Sequence, residues 1–401
     1  MTQNHRFVIF DILDNDPTAR AMAEGDEAGA LRLLVTFAEE HKIRGDVWTA
    51  YLCRLLSGTD NVFTRTIERE GSCGPSLERL ARSDLAAVAT WASSGPAVLA
   101  AYEPSTPSGT KTPSSGTSPC GQAYTASLAA MEQALHTGAS ALYDALVRHL
   151  STLGRGVSAR HAALAWSDGL VGVETFDPID LDQLVGIDTQ KRMLVENTER
   201  FLRGEGANNV LLFGDSGTGK SSSVKALVNR YCRDGLRLVE LTKHQLGELE
   251  KVLALLADSR HHYLVFLDDL SFEEGELGYK RLKAALEGKA AVTPANVLFY
   301  ATSNRRHLIR ESWSDRTDSD EEVHLSDTMQ EKLSLSDRFG LRVVFPSPSQ
   351  STYLAIVESY LERMGIPFTE TLRMRALQWE LAYNGRSGRT ARQFAQSIGR
   401  I

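Results

Sequence analysis

The 401-residue sequence has no uncharged apolar run long enough to cross a bilayer. Its opening, MTQNHRFVIFDILDND, lacks the basic stretch and long apolar core of an export signal. Both absences point to a cytoplasmic protein with no membrane partner. Cysteine is scarce: Cys53, Cys73, Cys120 and Cys232 show neither C-x-x-C spacing nor histidines at ligand intervals, which argues against a zinc framework or a disulfide scaffold. An excess of positive charge is missing too. With a formal net charge of -7, the chain does not coat nucleic acid with its whole surface, although a local basic patch stays open. What remains, 42% hydrophobic and 24% charged residues, describes a globular chain whose length suits two or three domains.

The most informative stretch is 209–229, NVLLFGDSGTGKSSSVKALVN. Val210, Leu211, Leu212 and Phe213 form a run too short for a helix and too apolar for an exposed strand, which fits a central strand of a parallel sheet. A helix follows at once. Between them, Gly214, Asp215, Ser216, Gly217, Thr218, Gly219, Lys220 and Ser221 match G-x-x-x-x-G-K-[ST], the phosphate-binding loop or Walker A motif. Glycines allow backbone conformations in which successive N–H groups surround a phosphate. Lys220 supplies an ammonium for the β- and γ-phosphates, Ser221 a hydroxyl for Mg²⁺, and the helix its positive end.

Upstream, residues 6–102 carry apolar positions at helical spacing, including Leu31, Leu34, Trp48, Leu52 and Leu55, without a cluster of groups that demands chemistry. Residues 103–122 are rich in Pro, Ser, Thr and Gly and have no apolar face, so they are expected to be a loop or linker. Helical periodicity returns over 123–153 as one continuous stripe of Leu128, Met131, Leu135, Leu142, Leu146 and Leu150. The loop is therefore either an insertion in the helical domain or its border. Beyond it, a helix is expected over 189–203, then strands over 210–213, 236–241, 262–267, 297–302 and 341–345 with helices between. In such sheets ligands sit at the carboxyl ends of the strands.

The polar residues fall at those ends. Tyr263, Leu264, Val265, Phe266, Leu267, Asp268, Asp269 has the form of a Walker B segment: Asp268 is placed to hold Mg²⁺ and Asp269 to orient an attacking water. Asn304 ends the fourth strand, where an amide can bond both water and phosphate. Arg338, in LSLSDRFGL, precedes the fifth strand. Its residue-level reading is a surface charge, with Asp337 as a partner. Arg305, Arg306, His307 and Arg310 form a basic cluster open to a phosphate backbone, to solvent or to a neighbouring subunit, and 312–322 is an acidic polar loop.

The ordered series GDSGTGKS, YLVFLDD, ATSN, LSDRFG and GRSGRTARQF, spread over 176–401, resembles an AAA+ ATPase module. Within that superfamily it is similar to a bacterial family of predicted AAA+ ATPases with a helical N-terminal region and no settled role. The resemblance implies an α/β fold, a five-stranded parallel sheet with helices on both faces plus a small helical lid, after an all-helical N-terminal domain. The expected domains are 1–175, 176–347 and 348–401. It also implies that Val185, Gly186 and the loop from Gly214 to Ser222, including Ser222, hold ATP, and that Ser221 and Asp268 hold Mg²⁺. Asn304 takes the sensor 1 position and Arg338 the finger that reaches the neighbouring subunit's ATP. Arg389 takes sensor 2, with Arg392 one turn later as the alternative. Two departures stand out: the superfamily's usual Asp-Glu is Asp268-Asp269 here, and Thr242, Lys243, His244, Gln245 lacks the aromatic of protein-threading members.

No Asn-Lys-x-Asp tetrapeptide occurs, so guanine recognition of the GTPase kind is not expected and ATP is. The leading expectation is a Mg²⁺-dependent ATPase that acts at subunit interfaces of a homo-oligomer to remodel or load a protein or nucleic-acid partner. A second is a nucleotide switch that assembles with slow or incidental hydrolysis. A small-molecule phosphotransferase shares the loop, but no acceptor-binding element is evident.

Overall fold

A computed structural model describes residues 6–105, 118–272, 277–287, 293–304, 335–382 and 385–399. The cluster at Arg305, Arg306, His307 and Arg310, the acidic stretch 312–322 and residues 106–117 of the expected linker lie outside the described residues. Two compact units emerge, one built from 1–162, 172–175 and 258–261, the other from 163–171, 176–257 and 262–401.

The first unit is helical: α1 Ile12–Asn15, α2 Pro17–Glu24, α3 Glu27–His41, α4 Val47–Gly58, α5 Val62–Glu70, α6 Pro75–Ala92, α7 Pro119–Thr137, α8 Ala139–Leu153 and α9 Gly156–Arg160. Short polar side chains start many of these helices. Asp16, Asp26, Asp46 and Asn61 each accept a backbone N–H of the first turn. Trp48, Leu52, Phe63, Ile67, Leu85, Met131 and Leu146 share one core. The loop expected over 103–122 ends sooner, because Ser118 caps α7 and 119–122 form its first turn with Cys120 buried, and the helix expected over 123–153 is two helices: Gly138, at φ 135°, caps the end of α7 and opens α8. The apolar stripe runs on because both helices bury it in the same core, so periodicity alone hid the break. Glu68, only 4% exposed, gathers the Arg155 guanidinium, the Ser259 hydroxyl at 3.1 Å and the Arg260 N–H at 3.0 Å.

His149 is fully buried, with Nδ1 2.9 Å from the Ser127 hydroxyl, and burial lowers its pKa to about 4. In the unfolded chain the imidazole takes its proton near pH 6.5. Between those values the unfolded state binds more protons, so stability is lost as pH falls through that window. His149→Gln should therefore lose less melting temperature than wild type between about pH 6.5 and 4.5. Parallel losses in the two proteins would refute this.

Among the described residues, the second unit holds a seven-stranded sheet of order β2-β1-β4-β5-β6-β3-β7. Its strands are β1 Ala163–Trp166, β2 Leu170–Gly172, β3 Val210–Gly214, β4 Leu236–Glu240, β5 His262–Leu267, β6 Val297–Ser303 and β7 Leu341–Phe345. The expected five-stranded parallel sheet is β3 to β7, and the short β1 extends it by pairing parallel to β4. Between the strands run α10 Asp188–Leu202, α11 Lys220–Tyr231, α12 Leu249–Ala257 and α13 Leu277–Glu287. Tyr263, Val265 and Leu267 of β5 pack in one cluster with α12 and α13, while the alternating Leu264 and Phe266 are buried on the opposite face. This is a sheet with both faces covered. The lid comprises α14 Gln350–Arg363, α15 Glu370–Ala382 and α16 Gly388–Ile398 around Tyr353, Val357, Leu361 and Phe394. No helix among the described residues is long and apolar enough to cross a membrane.

Candidate functional site

Strand register brings the site together. Gly214 pairs with Phe345, Phe213 with Ser303 and Leu267 with Ala301, so β3, β5, β6 and β7 end along one edge. Gly214 has φ 145°, and a β-carbon there would lie 2.0 Å from the Phe345 carbonyl oxygen, which requires glycine where the two strands meet. Gly217 at φ 75° and Gly219 at φ 100° then turn the chain into α11, whose N-terminus has no side-chain cap. An uncapped helix start beside a glycine-rich turn offers N–H groups and a positive dipole end to an anion. Thr218 Oγ1 donates to the Asp215 carbonyl at 2.8 Å and bridges the loop, and the Asp215 carboxylate accepts from Ser347 Oγ just past β7.

Lys220, 6% exposed, donates from Nζ to the carbonyls of Gly214 at 2.6 Å and Asp215 at 2.7 Å and to Asn304 Oδ1 at 2.9 Å. Burial pushes its pKa down, against the pull of Asp269, Asp215 and Asp268. Asn304 turns its other end to Asp269, with Nδ2 donating to Oδ1 at 2.7 Å. Ser221 Oγ and Thr302 Oγ1 both donate to Asp268 Oδ1 at 2.6 Å. The Walker A, Walker B and sensor 1 candidates thus form one network at the sheet edge.

This network floors a cleft of about 600 Å³, within the range of small-ligand sites. Ser216 to Ser222, Asp268, Asp269 and Asn304 line it, with Val185 and Gly186 on one wall and Ile356, Tyr360, Arg389 and Arg392 of the lid on another. Gly186, at φ 80°, passes so close to the lid that a β-carbon would sit 2.2 Å from Thr352 Cγ2. The Gly388 N–H donates to the Gly217 carbonyl at 2.8 Å and fastens the start of α16 to the loop. Arg389 and Arg392 both line the cleft from α16. Arg338 lies elsewhere. It does not line the cleft, its side chain is 46% exposed, and its Nη2 sits 2.9 Å from Glu287 Oε1 at the end of α13. Asp337, its expected partner, pairs with Arg342 instead.

A family profile described as "Protein of unknown function (DUF815)" matches residues 159–400, more than half of the sequence. The chain belongs to that family. Solved structures similar to this DUF815 protein include the RuvB Holliday junction branch migration motor of Thermotoga maritima, at 15% identity and TM-score 0.37 over 55% of this chain and 63% of that one. Another is the FIGL-1 AAA domain in complex with ADP, at 18% identity and TM-score 0.39 over 55% and 73%. A third is PCH-2 of C. elegans, at 18% identity and TM-score 0.36 over 53% and 63%. The match spans 63% of the length of that RuvB motor structure, less than two thirds of it. No curated protein matches it in sequence. The second unit sets the strand that precedes the glycine-rich turn between β6 and β7 of a largely parallel sheet, with a small helical lid after β7.

Sequence reasoning missed several residues that line the cleft of this DUF815 chain: Thr302, Ser347, Thr352, Ile356 and Tyr360. Ile356 and Tyr360 lie one helical turn apart and so share a face of α14, where a stripe of this kind reads as core. Thr302 reads as an ordinary β-branched strand residue.

Proposed function

We propose that this protein is a Mg²⁺-dependent ATPase that hydrolyses ATP at the subunit interfaces of a homo-oligomer and uses the cycle to remodel or load a protein or nucleic-acid partner. In this reading the helical unit is an N-terminal domain, and the sheet unit divides into an ATP-binding subdomain up to residue 347 and a lid over 348–401. The observation that carries the proposal is the continuous network from Lys220 through Asn304 to Asp269, beside the Ser221 to Asp268 contact. Lys220 and the loop amides would hold the phosphates, and Val185, Gly186, Ile356 and Tyr360 would flank the adenine. Two hard oxygen donors 2.6 Å apart at the start of α11 suit Mg²⁺, which takes one or two protein ligands and completes its shell with phosphate and water. Ser221 and Asp268 would hold that ion, whose charge would offset that of the β- and γ-phosphates.

Asp269 Oδ1 accepts from Asn304, which leaves Oδ2 to accept from a water in line with the γ-phosphorus. As the water oxygen bonds to phosphorus, its proton would pass to Asp269 Oδ2, and the bond from phosphorus to the β–γ bridging oxygen would break, leaving ADP and inorganic phosphate. Arg389 or Arg392 would meet the γ-phosphate from the lid.

Asp269→Asn tests this directly. The variant should bind ATP as tightly as wild type by calorimetry and release phosphate about 10²-fold more slowly or worse, the scale of losing a positioned acid–base group. Equal turnover would take the water-orienting role from Asp269. Wild type that binds ATP without releasing phosphate would favour a nucleotide switch.

A further inference from the structure

We propose that Thr302 is a positioning residue that gives the two adjacent Walker B carboxylates their different tasks, a proposal that rests on the ATPase reading of this cleft. A hydroxyl has one proton to give and two lone pairs to receive with. Thr302 Oγ1 gives its proton to Asp268 Oδ1 at 2.6 Å and receives the Asp269 N–H at 2.8 Å. One buried oxygen, on a residue 1% exposed, therefore touches both acids, through the carboxylate of one and the backbone of the other.

Register makes this possible. Leu267 of β5 pairs with Ala301 of β6, so Asp268 and Thr302 are neighbours just past the last shared pair. The chain then turns sharply: Asp269 sits at φ 51°, a left-handed conformation that is unfavourable for a residue with a β-carbon and persists only when its surroundings enforce it. Thr302 supplies the enforcement twice, since its carbonyl also accepts the Leu270 N–H at 2.7 Å. With Asp269 turned this way its carboxylate meets Asn304 Nδ2 at 2.7 Å. Asp268 Oδ1 meanwhile receives Thr302 together with Ser221, so the first acid is drawn toward the phosphate loop. Two consecutive aspartates, chemically identical, are aimed at different partners by one hydroxyl.

Removing that hydroxyl should blur the assignment while leaving the cleft in place. Thr302→Val keeps the shape, deprives Asp268 of a donor and leaves the Asp269 N–H without its acceptor. Outer partners of this kind are worth about 10–100-fold in metal affinity or activity. The expected result is a kcat lowered by about 10–100-fold, a half-saturating Mg²⁺ concentration raised by a similar factor, and ATP affinity in EDTA within about twofold of wild type. Thr302→Ser, which restores the oxygen without the methyl group, should bring kcat back to within about threefold of wild type. Should Thr302→Val not fold, Thr302→Ala is compared with Thr302→Ser in the same assays. Equal losses in the serine and the valine or alanine variants would assign Thr302 to packing and overturn the proposal. So would a hydroxyl-free variant with wild-type kcat and Mg²⁺ dependence, in which case the ATPase reading would stand. Wild type that binds no ATP would remove that reading, and this proposal with it.

Discussion

Lys220→Ala is expected to lower ATP affinity by about 10²-fold or more, beyond the reach of calorimetric titration, because hydrogen bonds to charged groups contribute about 1.5–3 kcal/mol each and this ammonium would serve two phosphates. Its donors already converge on the loop, at the carbonyls of Gly214 and Asp215, so the charge is held where a phosphate would lie. Burial lowers the lysine pKa, and a phosphate anion would act in the opposite direction, so nucleotide binding should draw the proton more firmly onto Nζ. The melting temperature should move by only a few degrees. The loop keeps the Thr218 bridge to the Asp215 carbonyl and the Gly388 N–H on the Gly217 carbonyl. Undiminished affinity in a folded variant would remove the phosphate-loop assignment.

The second large effect is expected at Arg338. A guanidinium supplied across a subunit boundary contributes on the order of 10³ to 10⁵ in rate in phosphate-loop enzymes. Arg338 does not line the cleft of its own chain and pairs with Glu287 while its side chain stays 46% exposed, so a role at a nucleotide would have to be played across a subunit boundary. Arg338→Ala should keep ATP binding and lose about 10³-fold in turnover. Lys220→Ala, its own ATP affinity lowered, would still offer Arg338 to a neighbour. Mixing the two inactive proteins should therefore restore part of the activity, because some interfaces then pair an intact loop with an intact arginine. Wild-type turnover per chain should rise with concentration until assembly saturates. Concentration-independent turnover by a sedimenting monomer, with no recovery on mixing, would return Arg338 to a surface charge paired with Glu287.

What could be read from the sequence was local. The G-x-x-x-x-G-K-[ST] turn between β3 and α11 is legible because it fixes residue types at fixed spacing, and β5 is legible because every position after His262 is apolar or aromatic and buried. Asp268 and Ser221 could be named separately, but their 2.6 Å contact depends on the register of β3, β5 and β6, which no local pattern encodes. The same holds for Gly186. In sequence it is one glycine among many, and only the approach of Thr352, 166 positions later, shows why a β-carbon is excluded. The four-residue β1 was missed because so short a run cannot establish a period of two. The two helices of 123–153 read as one because glycine interrupts a helix without interrupting its apolar stripe.

The helical unit is not one continuous length of chain, and this bears on how such a protein can be cut or recombined. Residues 258–261 belong to it, yet in sequence they lie between α12 and β5 of the other unit. A fragment ending at residue 162 would lack Ser259 and Arg260, leaving the buried Glu68 carboxylate with Arg155 but without two of its donors. Each missing partner of a buried charge costs about 1–3 kcal/mol, a large share of a small domain's stability. Exchange of the helical part between relatives by a single crossover would leave its Glu68 facing someone else's tetrapeptide. The two units are therefore poor candidates for independent shuffling, and a working chimaera would have to carry two separate pieces of gene together.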